Sequence, residues 1–300
     1  MLKVAYNEYY AHPLPEGHRF PMDKYRLLPE QLRYEGTLSD QNFFEPERAS
    51  EARILRIHCP QYLKRLKEQK LSKKDERASG FPLSERLVER ELYITGGSIQ
   101  AVDFALQHGV AGNIAGGTHH AFRDRPEGFC LLNDIAVASA YALAEKRIRR
   151  ILVVDLDVHQ GNGTAHIFRG EERVFTFSMH GARNYPLHKE QSDLDIGLPD
   201  GCGDDEYLGT LEHHLPGLIE LQRPQLIFFQ SGVDVLGTDK LGRLKLSLGA
   251  CRERDAMVFG RAYGAGIPVV FNMGGGYSER LAHIVDAHAN TFRTAQSVYF

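Results

Sequence analysis

Asp155, Asp157 and His159 alternate along the run Val153-Val154-Asp155-Leu156-Asp157-Val158-His159. The run reads as the end of a buried strand, on which alternate side chains share a face. Two carboxylates and an imidazole on one face are costly in an apolar core, and a bound cation would remove most of that cost. Asp157, His159 and the more distant Asp234 are therefore candidate metal ligands. Three protein ligands leave a position open for water and substrate, as catalytic zinc requires. The set is rich in oxygen, so Fe(II) is also admissible. The alternative is an ion-free carboxylate–histidine cluster, because ligand spacing becomes diagnostic only with the full ligand geometry.

Other residues supply complementary chemistry. His119-His120 is a tandem on a glycine-rich turn, where neighbouring side chains can both face one site. Histidine titrates near neutrality and suits proton transfer to and from a reacting amide. Asp155 could orient His119 and favour its imidazolium form. Asn162 could orient His120 without adding charge, although Asn162-Gly163 also reads simply as a turn. Tyr277 follows Gly274-Gly275-Gly276, and a phenol there could donate to a developing oxyanion. Taken alone, however, it reads as a core tyrosine beside a tight turn, because aromatic residues usually serve packing. Gly128, Phe129, Cys130 and Tyr185 could line a narrow tunnel that grips a lysine-like methylene stem. Cys130, with no base beside it, reads as a small wall residue.

These residues need elements that bring them together. Strands are expected at Leu2–Tyr6, Val110–Ile114, Arg150–Leu156, Arg173–Ser178, Gln225–Phe229 and Pro268–Asn272. Helices are expected at Pro46–His58, Ser84–His108, Asp134–Lys146, Asp204–Gln222, Ala250–Gly264 and Ser278–Arg293. Pro46 suits a first helical turn, and Asp134 could complement a helix N-terminus. Leu71–Gly80, Phe81-Pro82-Leu83 and His180–Gly203 read as loops. The alternation points to a single-domain α/β fold, residues 1–300, with a mostly parallel central sheet and helices on both faces. Five of the strands lead into polar or glycine-rich turns, and ligands bind beyond the carboxyl ends of such strands.

Composition narrows the function classes. The 300 residues carry a net charge of -3, which gives no reason to expect nucleic-acid or bulk membrane binding. No apolar run approaches the ~20 residues that span a bilayer. The N-terminus lacks the apolar segment of a signal peptide. The four cysteines form no CxxC pair. A reduced, cytoplasmic chain is expected.

Taken together, the clusters resemble the zinc-dependent histone deacetylase family, whose domain has an arginase-like α/β fold. The resemblance rests on Gly116-Gly117-Thr118-His119-His120, Gly128-Phe129-Cys130-Leu131-Leu132-Asn133-Asp134, Asp155–Gly163, Ser231-Gly232-Val233-Asp234 and Gly274-Gly275-Gly276-Tyr277, in the family's order. The compact length, Thr95-Gly96-Gly97-Ser98 and Asp204–Leu208 look most like the class IV branch and its bacterial relatives. The resemblance implies that Asp157, His159 and Asp234 hold zinc, that His120 is the general base and then acid, and that His119 with Asp155 gives electrostatic support. It makes Tyr277 the group that polarises the amide carbonyl. It also implies a structural potassium ion held by Asp155, Asp157, the His159 carbonyl, Ser178 and the Met179 carbonyl.

Asn162 stands where class I members carry Asp. Leu241 stands where polyamine-specific relatives carry a glutamate, and it would border the substrate. Arginase itself is disfavoured, because its two-metal, carboxylate-rich set is not reproduced. The implied activity is hydrolysis of acetyl or longer acyl groups from Nε-acyl-lysine of proteins or peptides. The alternatives are a small-molecule deacylase acting on acetylpolyamines and a silent acyl-lysine binding protein.

Overall fold

The six strands expected from the sequence lie side by side in one eight-stranded sheet, and the two that were not expected form its edges. The computed structural model describes Met1–Phe300. Its strands are β1 (Lys3–Ala5), β2 (Phe43–Phe44), β3 (Val110–Asn113), β4 (Ile151–Asp155), β5 (Val174–Gly181), β6 (Leu194–Leu198), β7 (Leu226–Gln230) and β8 (Val269–Asn272). They are ordered β2-β1-β3-β8-β7-β4-β5-β6. Every pairing is parallel, so "mostly parallel" becomes wholly parallel. Strands β3, β4, β7 and β8 are buried along their whole length. That explains their unbroken apolar sequence: a parallel strand covered on both faces has no solvent side. Edge strands β2 and β6 are mostly half-exposed and lack that signature.

The helices are α1 (Lys24–Tyr34), α2 (Glu51–Ile54), α3 (Pro60–Lys67), α4 (Lys73–Ser79), α5 (Glu85–His108), α6 (Asp134–Glu145), α7 (Asn162–Phe168), α8 (Asp204–Gln222), α9 (Leu248–Gly264) and α10 (Leu281–Tyr299). Helices α5, α6 and α7 pack on one another, as do α1, α8, α9 and α10. Ser84 caps α5 by accepting from Leu87 N, and Gly109 ends it at positive φ. Long α5 is largely buried, as a core helix should be.

Several expected boundaries shift for physical reasons. The single helix expected over Pro46–His58 is only the short α2, capped at Ser50, and Pro60 then starts α3. Leu71–Gly80 contains α4, which has almost no apolar face but is capped by Ser72 and ended by left-handed Gly80. The loop expected over His180–Gly203 contains β6. Helix α10 starts at Leu281 because Ser278 pairs with Asp239 in a β-bridge, and it continues to Tyr299. Asn162-Gly163 opens α7 rather than forming a simple turn. Helix α1, which contains Pro29, was not expected.

Register concentrates polarity at one end of the sheet. Asn113 pairs with Asn272, Asn272 with Gln230, Gln230 with Asp155, and Asp155 with Ser178. One polar row thus crosses five adjacent strands at their carboxyl ends. It borders a continuous apolar cluster of 79 buried residues, so its members need partners inside the protein. Gln230 donates to Gly117 O at 2.8 Å, and Asn113 to Ser98 Oγ at 3.0 Å.

Candidate functional site

Strand β4 ends at Asp155, and the turn after it carries Asp157 and His159. Asp234 follows β7. His159 Nδ1 lies 3.1 Å from Asp157 Oδ1 and 3.1 Å from Asp234 Oδ2. One donor atom from each of the three falls within 4.8 Å of the others, and all three residues are buried. Gly232 and Gly275 allow this crowding, because a Cβ on either would strike the Asp157 or Asp234 carboxylate. The outer oxygens are fixed by the main chain: Gly275 N donates to Asp157 Oδ2 at 2.8 Å and Val158 N to Asp234 Oδ1 at 3.0 Å.

This cluster fits a divalent cation. Burial and the neighbouring Asp157 charge raise the Asp234 pKa to about 7. Burial would lower the His159 pKa, but the two carboxylates outweigh it and raise it to about 10. The carboxylates therefore draw positive charge to the point between them. Two oxygens and one nitrogen suit zinc or Fe(II) with coordination positions to spare.

Asp155 stands apart from this trio. His119 Nδ1–H donates to Asp155 Oδ2 at 2.7 Å. Burial opposes a charged His119, but Asp155 outweighs it and raises the pKa to about 9. The ring's Nε2 lies 4.0 Å from Asp157 Oδ1. His120 has the opposite character. Burial, then the positive His119 and His159, push its pKa well below the ordinary value. The two rings are 4.1 Å apart, so they form an unlike pair, one charged and one neutral.

Glu127, which the sequence did not single out, fixes the His120 tautomer. Its carboxylate accepts from Asn162 Nδ2 at 2.8 Å. A carboxylate only accepts, so the Asn162 amide must turn its oxygen to His120. His120 Nδ1–H then donates to Asn162 Oδ1 at 2.6 Å, and Nε2 is left as a free base. Glu127 also accepts from the Tyr185 hydroxyl at 2.6 Å. The histidine loop is held from behind by Asp134, which accepts from Thr118 N at 2.8 Å and Gly117 N at 3.2 Å. Asp134 also stands in the first turn of α6, where its charge was expected to complement the helix N-terminus. Asn133 caps the same helix, accepting from Ala136 N at 3.0 Å.

His120, His159, Tyr277, Phe129, Tyr185 and Leu241 line a pocket of about 450 Å³. Gly128 reaches it at φ 51°, where a Cβ would lie 2.6 Å from the His120 ring. Phe129 is itself held at φ 65°. Its N–H donates to Ser79 O at 2.8 Å, and Gly128 N–H to Ala78 O at 2.9 Å. The end of α4 thus positions the pocket wall. Tyr185 stands edge-on to His120 at 5.1 Å, and Phe129 lies 5.9 Å from the Tyr277 ring. Burial and the Asp234 and Asp157 charges hold the Tyr277 phenol well above its usual pKa, so it stays a donor. His18 lies beside this wall: its ring stacks on Phe81, and its Nε2 lies 2.9 Å from Gly80 O. Cys130 donates to Gly128 O at 3.3 Å, and burial raises its thiol well above normal, which suits a wall residue.

The residues implied to hold a monovalent cation are neighbours on β4, β5 and the turn after β4. Asp155 and Ser178 are cross-strand partners, and Met179 follows on β5. Ser178 Oγ lies 2.9 Å from His180 Nδ1. A further buried group supports the turns that carry Asp157 and Asp234 from beneath. Arg254 on α9 donates to Gly232 O at 2.6 Å and to Leu156 O and Ser231 O at 3.3 Å. It pairs with Asp255 at 2.8 Å, and Asp255 accepts from Thr291 Oγ at 2.6 Å.

The wholly parallel eight-stranded sheet with helices around it is the arginase- and deacetylase-like α/β fold. Within that fold class the chain belongs to the histone deacetylase family, since residues 18–292 match the histone deacetylase domain. It is 31% identical over 277 residues to histone deacetylase 2 of Arabidopsis thaliana, covering 89% of this chain and 72% of that one. It is 42% identical over 296 residues to an uncharacterised protein of Picosynechococcus sp., covering 99% of both. A solved histone deacetylase homologue complexed with SAHA is similar in structure, with a TM-score of 0.86 and 26% identity, over 99% of this chain and 84% of that one. Family membership makes the chain a deacetylase-type hydrolase. No helix is long and apolar enough to cross a membrane.

Proposed function

We propose that this protein hydrolyses the amide of Nε-acyl-lysine in proteins or peptides. The observation that carries the proposal is the convergence of the Asp157–His159–Asp234 cluster, a neutral His120 and a protonated Tyr277 at the floor of one aromatic-walled pocket. A divalent cation held by Asp157, His159 and Asp234 would supply a Lewis acid that acidifies water and polarises a carbonyl. His120 Nε2 takes the proton of the attacking water. The Tyr277 hydroxyl donates to the carbonyl oxygen as negative charge develops on it. The charged His119, held by Asp155, gives that charge electrostatic support, and a protonated histidine returns a proton to the lysine nitrogen. Phe129 and Tyr185 hold the methylene stem, and Leu241 borders its path. Asp155, Asp157, the His159 carbonyl, Ser178 and the Met179 carbonyl would hold a potassium ion.

Release of free lysine side chain and carboxylate from an acetyl-lysine peptide, followed by mass, tests the proposal. Binding without hydrolysis in the zinc-loaded protein would refute it and favour an acyl-lysine reader. Chelation should abolish turnover and lower stability together. At a metal concentration 100-fold above Kd, the ion should add about 2.7 kcal/mol, read as a shift in the unfolding midpoint. An unchanged midpoint would count against the metal site.

Acyl length follows from the space beyond the cluster. The chamber there is only about 30 Å³ and is lined by Phe20, Tyr25, Arg90 and Cys130 among others. That volume holds about two water molecules. It suits an acetyl methyl group, and a longer chain would have to displace packed aromatics at about 1–3 kcal/mol. Acetyl-lysine peptide should therefore exceed its long-chain counterpart in kcat/KM by about tenfold or more. Equal rates across a chain-length series would show that the chamber opens.

A further inference from the structure

We infer that the mouth of this pocket selects acyl-lysine carried in an acidic stretch of polypeptide, an inference that rests on the hydrolase proposal above. The rim of the pocket is rich in arginine. Arg19, Arg77, Arg183 and Arg243 all line it, and no carboxylate does. The chain as a whole carries a net charge of -3, so this local excess of cations is not a bulk property.

The four guanidiniums come from separate segments. Arg19 lies in the loop before α1, Arg77 on α4, Arg183 after β5 and Arg243 after β7. All four are exposed. Arg183 and Arg243 share one carboxylate, Asp200, at 3.9 Å and 3.1 Å. Arg19 and Arg77 form no ion pair within the chain. Arg19 instead lies 5.1 Å above the ring of Phe129, the wall of the stem channel. One internal carboxylate thus answers four cations.

An acyl-lysine that reaches the floor must pass its backbone across this rim. Side chains flanking the lysine on either side then lie over arginines. Asp and Glu there gain charge-assisted, potentially bidentate contacts, whereas Lys and Arg meet like charge. A free polyamine is repelled in the same way, which adds to the absence of an acid at Leu241. Four cations on four segments suit an extended chain with several carboxylates better than one compact anion.

The test compares three peptides on the zinc-loaded full chain, each with one central Nε-acetyl-lysine and flanked by Asp/Glu, by Ala or by Lys/Arg. The acidic peptide should show kcat/KM at least about tenfold above the basic one, mainly through KM, and the gap should shrink as salt rises. Reversing charge in Arg19→Glu/Arg77→Glu should invert that order. The wild-type comparison stands even if the variant does not fold. Equal kcat/KM for acidic and basic peptides would overturn the acidic preference while leaving the hydrolase proposal intact. Faster turnover of an acetylpolyamine than of the acidic peptide would also overturn it. No turnover of any acyl-lysine peptide would overturn both.

Discussion

Replacing Tyr277 with Phe is expected to lower kcat by about 10²–10³-fold while leaving metal affinity unchanged. The substitution removes one hydroxyl and little else. The ring keeps its place, because its main-chain N–H is fixed to Asp239 Oδ2 at 2.6 Å and its faces pack near Phe129 and Phe20. The hydroxyl has no partner within the chain, so no buried group is orphaned by its loss. Its contribution is then confined to the moment when the carbonyl oxygen becomes negative. Such a donor is worth about 2.7–4 kcal/mol in the transition state and little in the ground state. KM should barely move, and the loss should appear in kcat. Zinc titration of the variant separates this role from a structural one. Near-normal turnover would remove Tyr277 from the chemistry, and a matching fall in zinc affinity would assign it to the metal site.

Residues that advertise themselves in the sequence are those whose chemistry conflicts with their local pattern. Asp155, Asp157 and His159 interrupt an apolar strand, and a histidine tandem sits among glycines. Strands β3, β4, β7 and β8 are legible for the same reason in reverse: full burial requires an unbroken apolar run. Elements whose burial is partial carry no such mark. Edge strand β6 is half-exposed, and α4 is a run of charges whose value lies in two carbonyls, those of Ala78 and Ser79. The supporting groups are hidden in another way. Asn113, Gln230 and Asn272 each look like the polar end of an ordinary strand, and only parallel register joins them into a row. Glu127 is one acid in a loop, and its link to Asn162 crosses 35 residues.

Arg254 is the extreme case, and its removal should have the largest effect on stability. Arg254 and Asp255 close the charged run Arg252-Glu253-Arg254-Asp255 on α9, yet both are 0% exposed. Arg254→Met is expected to cost about 3–5 kcal/mol, measured by urea unfolding, because Asp255 is left charged and unpaired. Two separate duties are lost in that variant. One is the balance of Asp255. The other is the supply of donors to the carbonyls of Leu156, Ser231 and Gly232, which lie within three residues of Asp157 or Asp234. Arg254→Met combined with Asp255→Leu removes the first problem and keeps the second. An apolar pair of similar volume is often neutral to stability, so the double variant should regain much of the loss. The carbonyls of Ser231 and Gly232 would still lack the Arg254 donor, Leu156 O would keep only the Tyr207 hydroxyl at 3.5 Å, and the turns carrying Asp157 and Asp234 would relax. Disturbing groups that orient metal ligands typically weakens binding by about 10–100-fold, and zinc affinity in the double variant should fall by that much. Stability and metal affinity would thus part company in a way that general unfolding cannot produce. Wild-type zinc affinity in the double variant would mean that the carbonyls need no donor and that Arg254 serves only to neutralise Asp255.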